Sequence, residues 1–319
     1  MRRTGHARAR VFFLCLAALL AAACGREDTL PPARQIPLAT PVEEGATLAV
    51  DSADLLWVGT PGRLTALDTA GRARATVTIS RDSVPRVLWR TGGRLVIRDG
   101  RRLSGADAAG GAAKAGYGST GLRAAARDPR GRWVFTANRR GGIMGLDPAS
   151  LQPRWSWPET GGEALGMAVS PLADRVYVSV DRATDLPAAV QVRDAGSGRV
   201  LMSAEQAEPL HGLAAGPDGT LYGYADGVVV RLRHGPQGLR RVWTETPPVR
   251  ASGGEMELRV DPSGARVAVF GRGRGARLAV LDARTGRVLG LTKTAPLDAA
   301  FGVEGRLYLL EPRVIREVR

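Results

Sequence analysis

The pattern of apolar and polar positions is clearest over residues 256–291, which read MELRVDPSGARVAVFGRGRGARLAVLDARTGRVLGL. Four short apolar runs stand between turn signals there. Residues 258–260 lead into Asp261-Pro262-Ser263-Gly264, and residues 266–270 lead into Gly271-Arg272-Gly273. Residues 278–281 lead into Asp282-Ala283-Arg284-Thr285-Gly286, and residues 287–291 close the unit. Apolar runs this short, bounded by Gly, Pro and Asp, predict strands, because a helix needs a longer run at a 3.6-residue period.

Weaker copies of the unit fill most of the chain, at residues 48–58, 86–97, 124–135, 166–180, 212–224 and 299–310. Measured between the turn residues Ala53, Gly93, Gly131, Asp174, Gly219, Gly264 and Gly305, the steps are 40, 38, 43, 45, 45 and 41 residues. A period of about 40–45 residues with four strands per repeat is that of a β-propeller. The expected fold class is therefore all-β, with seven four-stranded blades. Six or eight blades are the alternatives, since the second repeat is degenerate and the seventh is short. Nearly continuous apolar runs such as residues 267–270 suit sheets covered on both faces, while Val176, Val178 and Val180 share one face of their strand. The seventh repeat holds only three strands. Residues 36–44, IPLATPVEE, are expected to add the fourth and close the ring, which removes the edges an open array would expose.

Three repeats carry a resemblance. Val169-Ser170-Pro171 with Arg175-Val176-Tyr177-Val178, Asp261-Pro262-Ser263-Gly264 with Arg266-Val267-Ala268-Val269, and Gly216-Pro217-Asp218-Gly219 with Leu221-Tyr222 look like the YVTN and NHL-type repeats of bacterial propellers. The resemblance covers about residues 36–319. It implies a fold, but not a function, because such propellers include interaction scaffolds, lactonases and lyases. The stretch 209–219, PLHGLAAGPDG, is also similar to a repeat of the streptogramin lyases, in which a histidine begins the blade. That family needs further catalytic and magnesium-binding residues from other blades. The other histidines here are His6 and His234, neither at a matching position.

The N-terminus adds a location. Residues 1–10 are basic, and residues 11–23 form an uncharged apolar run too short to span a bilayer, which is the shape of a signal peptide. The run ends Leu20-Ala21-Ala22-Ala23-Cys24-Gly25, which resembles the lipobox of bacterial lipoproteins, although Ala21 stands where leucine is preferred. The resemblance implies cleavage before Cys24, a diacylglyceryl thioether on its sulfur and a membrane anchor. The expected domains are thus a signal peptide at 1–23, the lipidated cysteine and a Pro-containing tether at 24–35, and the propeller at 36–319. Gly25, rather than aspartate, after the cysteine implies the outer membrane facing the periplasm if the cell is Gram-negative. With Cys15 removed, the mature chain has no cysteine beyond the acylated one, so neither a disulfide nor a Cys-ligated metal is expected.

Charge changes the picture only slightly. The formal charge of +14 includes Arg2, Arg3, Arg8 and Arg10; without them 41 basic residues face 31 acidic ones, a net +10. The arginines are scattered over every repeat rather than blocked together. A solvated basic surface is the simpler reading, with an envelope polysaccharide as another partner and nucleic acid excluded by export. The basic loops Gly271-Arg272-Gly273-Arg274-Gly275 and Arg139-Arg140-Gly141-Gly142 open no helix, so they read as hairpins rather than phosphate loops.

Aligned on their turns, the repeats place Arg86, Arg123, His211, Glu257 and Asp298 at the start of the innermost strands, around the channel entrance. This mixed-charge ring is the candidate ligand-binding site. The same groups also suit pairing with one another. They are too few oxygen ligands for a hard cation, so no metal and no cofactor are expected. No complete catalytic set appears. Trp155 and Trp157 flank Ser156 on an outer strand and so point to one side, either filling a gap between blades or forming an exposed contact. The favoured function is an anchored scaffold for a cell-envelope protein partner. The alternatives are a channel-mouth small-molecule binder or lyase- or lactonase-like enzyme, and a polysaccharide binder.

Overall fold

The computed structural model describes residues 30–318 apart from 31, 80–83, 92, 101, 119–120, 159–161, 183–185, 236–237, 250–255, 272–275 and 294. The signal-peptide and Cys24 expectations lie outside these residues, as does most of the 271–275 loop.

Seven sheets, each with four antiparallel strands, surround one axis, as the repeat period requires. Their innermost strands are Thr47–Val50, Pro85–Thr91, Leu122–Arg127, Gly162–Val169, Gly212–Ala215, Met256–Val260 and Asp298–Phe301, in blades 1 to 7. Each touches the innermost strand of the next blade, and the seventh touches the first, so the ring is closed. The degenerate second repeat is a complete blade, with further strands Arg94–Asp99, Arg102–Asp107 and Lys114–Gly118. Between its last two strands, Gly111–Ala112 runs parallel to the outer strand Ala73–Thr78 of blade 1 and extends that sheet to five strands.

Blade 7 contains both ends of the propeller. Its three C-terminal strands are joined by Pro32–Pro37, antiparallel to Val314–Val318, with Ile36 opposite Ile315. The closing strand therefore lies four residues before the expected 36–44 and takes in the end of the stretch read as tether. Proline explains the shift. Pro32 and Pro37 sit at the two ends of a strand whose outer side is an edge, where a missing N–H costs little. Beyond Pro37 the chain leaves the sheet, and Leu38 and Val42 donate instead to Arg313 O and Pro312 O at 3.0 and 2.7 Å.

The apolar core is divided between the blades. Trp57 and Leu95 meet between blades 1 and 2, Val96 and Val134 between 2 and 3, and Phe135 and Val176 between 3 and 4. Tyr177 and Leu221, Tyr222 and Val267, Phe270 and Leu307, and Tyr308 and Leu48 do the same for the remaining four interfaces. Every blade thus buries both faces, which is why the second strands read as unbroken apolar runs.

Turn chemistry recurs with the blades. At the end of an innermost strand, the carboxylates of Asp51, Asp128 and Asp261 accept the N–H two residues on, at 2.7–2.8 Å. Between the third and fourth strands, Asp147, Asp194 and Asp282 each accept the N–H and the hydroxyl of Ser150, Ser197 or Thr285. These side chains satisfy turn amides that water would otherwise hold. The outer tryptophans then lock neighbouring blades. Trp155 Nε1 donates to Ala195 O at 3.1 Å, and Trp243 Nε1 to Ala283 O at 3.3 Å, in each case on the aspartate turn of the next blade. Trp157 points to the same side as Trp155 but stays partly exposed, with the Arg193 guanidinium 5.5 Å from its ring.

Candidate functional site

The innermost strands enclose a central cavity of about 410 Å³. Its shape follows from one position per blade, two residues before the turn. There Ala49, Ala126, Ala168, Ala214 and Ala300 stand opposite the aromatic residues Trp57, Phe135, Tyr177, Tyr222 and Tyr308 of their second strands. The small residue faces the crowded axis and the ring fills the wider space outside it. Blade 6 inverts this pair: Arg259 is on the innermost strand, opposite Ala268. The room left by the alanines is what the Arg259 side chain uses.

Arg259 takes part in a four-residue cluster at the entrance end of the channel. Its Nη2 meets the Glu257 carboxylate and lies 3.7 Å from Asp298 Oδ1. Arg86 Nη2 is 2.8 Å from Glu257 Oε2 and 2.9 Å from Asp298 Oδ2. Asp298 is 0% exposed, and its carboxylate also accepts the backbone N–H groups of Leu48 and Ala299 at 2.9 and 2.8 Å. One carboxylate therefore ties blade 7 to blades 1, 2 and 6. Burial alone would lower the pKa of the Arg86 guanidinium, but the Asp298 and Glu257 charges overcome that and raise it. The Phe270 ring, 5.5 Å from the Arg259 guanidinium carbon, supports the cluster from below.

Of the five residues aligned from the sequence, Arg86, Glu257 and Asp298 converge. Arg123 lies farther round the same end, where its Nε is 3.4 Å from Glu163 Oε1, a carboxylate it shares with Arg139 at 3.7 Å. His211 is exposed, immediately before the innermost strand of blade 5, and its backbone N–H donates to Tyr224 O at 2.8 Å. His234 lies away from the channel, with Nε2 3.1 Å from the Tyr177 hydroxyl between blades 4 and 5. Among the described residues, no three His, Cys, Asp or Glu side chains converge as metal ligands would.

Sequence reading missed Arg259, Glu163 and the far mouth of the channel. The signal for Arg259 was present, as an arginine in a column that holds alanine in five other blades. At the far mouth, Arg90 Nη1 donates to the buried Asp51 Oδ2 at 2.7 Å, beside Trp57 Nε1 at 2.8 Å on the same oxygen. Burial opposes ionisation of Asp51, yet these bonds and the turn amides hold its pKa below the usual value. Arg127 lines the same cavity from blade 3. Chemically, the channel presents paired charges at one end, small apolar walls, and arginines at the other.

The chain matches no protein-family model, and no curated protein is significantly similar to it in sequence.

Proposed function

We propose that the protein is a lipid-anchored scaffold of the cell envelope, built from YVTN/NHL-like blades, that holds protein partners on the rim of its propeller. The observation that carries this reading is a set of exposed apolar side chains on outer strands. Val200 and Leu201 lie on the outer strand of blade 4, and Val242 lies on the adjoining outer strand of blade 5. Trp157 of blade 3 continues the set, and Leu201 is 46% exposed. Large apolar side chains grouped on a surface mark contact sites, and outer strands add unpaired backbone groups that a partner strand can use. The pairing of the channel carboxylates with arginines points the same way, since it leaves Glu257 and Asp298 serving the fold. The basic, apolar, Ala-Ala-Ala-Cys start of the chain supports an anchor at Cys24 and an extracytoplasmic location.

Crosslinking in whole cells, followed by capture of the full chain, tests the scaffold. A stoichiometric envelope protein is expected with wild type and lost with Leu201→Asp plus Val242→Asp. Recovery of no protein, or undiminished recovery with the double variant, would refute the rim assignment. Radiolabelled palmitate should enter the wild-type chain and not Cys24→Ala; equal labelling would remove the anchor.

A further inference from the structure

We infer that the far mouth of the central channel is a binding site for a small oxyanion, such as a phosphate group, with Arg127 as its principal cation. This goes beyond a scaffolding role and concerns the end of the channel opposite the Arg86–Asp298 cluster.

Four arginines line the cavity, Arg86, Arg90, Arg127 and Arg259. Three of them have carboxylates: Arg86 and Arg259 share Glu257 and Asp298, and Arg90 has Asp51. Among the described residues, no carboxylate pairs with Arg127. Its neighbour Asp128 is fully committed, to the N–H groups of Arg130 and Arg132 and to Arg132 Nε at 3.1 Å. Among the described residues, the cavity thus carries one cation more than its anions neutralise.

Position makes this cation significant. Arg127 is the last residue of its innermost strand, so it stands at the rim, where Val50, Val169, Ala215, Val260 and Phe301 end the strands of five other blades and Thr91 that of blade 2. Arg90 projects into the cavity from the neighbouring blade 2. Two guanidiniums from adjacent blades, in a concave site with apolar walls at Met167 and Phe301, offer planar N–H donors in the geometry that oxyanions accept. Solvent reaches the Arg127 side chain, so an anion can reach it too. The surrounding channel wall partly desolvates this guanidinium and lowers its pKa, and among the described residues no carboxylate opposes the shift, which a bound anion would do. A volume of about 410 Å³ exceeds what a bare phosphate needs and falls within the range of small-molecule sites.

The test is calorimetric titration of the full chain at constant ionic strength, with inorganic phosphate in one arm and glycerol 3-phosphate in the other. Wild type should bind phosphate. Arg127→Gln should weaken binding by about tenfold to a hundredfold, the effect of losing one charged hydrogen-bonding group. Arg127→Lys should keep part of the affinity, and Arg240→Ala, on the exposed outer strand of blade 5, should keep all of it. Tighter binding of glycerol 3-phosphate would identify a phosphate ester as the natural ligand class, and equal binding would identify the free anion. Without phosphate, Arg127→Gln should melt no lower than wild type, because it removes an unpaired cation. Absence of binding to wild type in both arms, unchanged binding to Arg127→Gln, or a marked fall in its melting temperature without ligand would overturn the assignment.

Discussion

Arg259 faces Ala268 across the first strand pair of blade 6, where five other blades place an alanine opposite an aromatic ring. The exchange moves bulk from the blade interior to the axis and brings a guanidinium to Glu257 and Asp298. Removing it should loosen the axis more than the blade. Arg259→Ala is expected to lower stability by about 1–3 kcal/mol, the cost of leaving a carboxylate short of a charged partner. Arg259→Ala combined with Ala268→Tyr restores the common pair, but not the ion pair, so it should recover only part of the loss. Urea unfolding of the three chains measures this; full recovery would show that packing alone matters at this position.

Asp298 is the most connected member of the cluster. Arg86→Ala leaves it buried with backbone N–H donors and the more distant Arg259, and should cost about 3–5 kcal/mol, as breaking a buried ion pair does. Asp298→Asn keeps the shape but not the charge, and is expected to cost less than Arg86→Ala. Equal losses in thermal melts would mean that hydrogen bonding, rather than charge, holds the ring at this point.

These relationships separate what was legible in the sequence from what was not. The blade count and the order of strands follow from period and turn alignment, and the same alignment puts Arg86, Glu257 and Asp298 at or near the start of their innermost strands. Both depend on local spacing that every repeat restates. The closing strand was displaced because its partner, Val314–Val318, is almost the whole chain away, and no local period specifies which residues reach it. Glu163 was missed because charge pairs across blades depend on side-chain reach around a ring. Arg127 was missed for a related reason: whether a cation lacks a partner is a property of the folded channel.

Two glycines are fixed by the tryptophans of the preceding blade. Gly198 and Gly286 adopt positive φ, 72° and 82°. A Cβ on Gly198 would lie 2.5 Å from the Trp155 ring, and one on Gly286 would lie 3.1 Å from the Trp243 ring. Gly219 has φ of 78° with open space around it. Gly219→Ala should therefore cost only the backbone strain, about 1–2 kcal/mol. Gly198→Ala adds overpacking of about 1–3 kcal/mol to that strain. Gly286→Ala should fall between them. The order is read from denaturant midpoints; equal losses in all three variants would show that these turns do not bear on the neighbouring blade.

Acid should weaken the turns between third and fourth strands. The Ser150 backbone N–H, helped by Arg154 and the Ser150 hydroxyl, holds Asp147 at about 2, below its ordinary 3.8. The Arg72 N–H and side chain do the same for Asp68, also at about 2, and Asp194 and Asp282 are lowered by their Ser197 and Thr285 bonds. A carboxylate whose folded pKa lies below its unfolded one stabilises fully above the unfolded value. That contribution is lost as pH falls from about 4 towards 2. Melting temperature should therefore fall across this window, and the gap between wild type and Asp147→Asn should narrow as it does. A gap independent of pH would assign the turn's contribution to shape rather than charge.

Ring closure rests on a strand that belongs to blade 7 only by tertiary contact. Ile36 is buried against the Leu56, Tyr308 and Leu310 cluster at the junction of blades 1 and 7. Ile36→Ala removes apolar volume from that junction and should cost about 2–4 kcal/mol. Ile36→Asp should go further and release the strand, exposing the edge of Val314–Val318, which then can pair with the N-terminal strand of a second copy. Light scattering would register a dimer or higher species in this variant and a monomer in Ile36→Ala. A monomeric, fully stable Ile36→Asp chain would show that the other three strands of blade 7 close the ring without it.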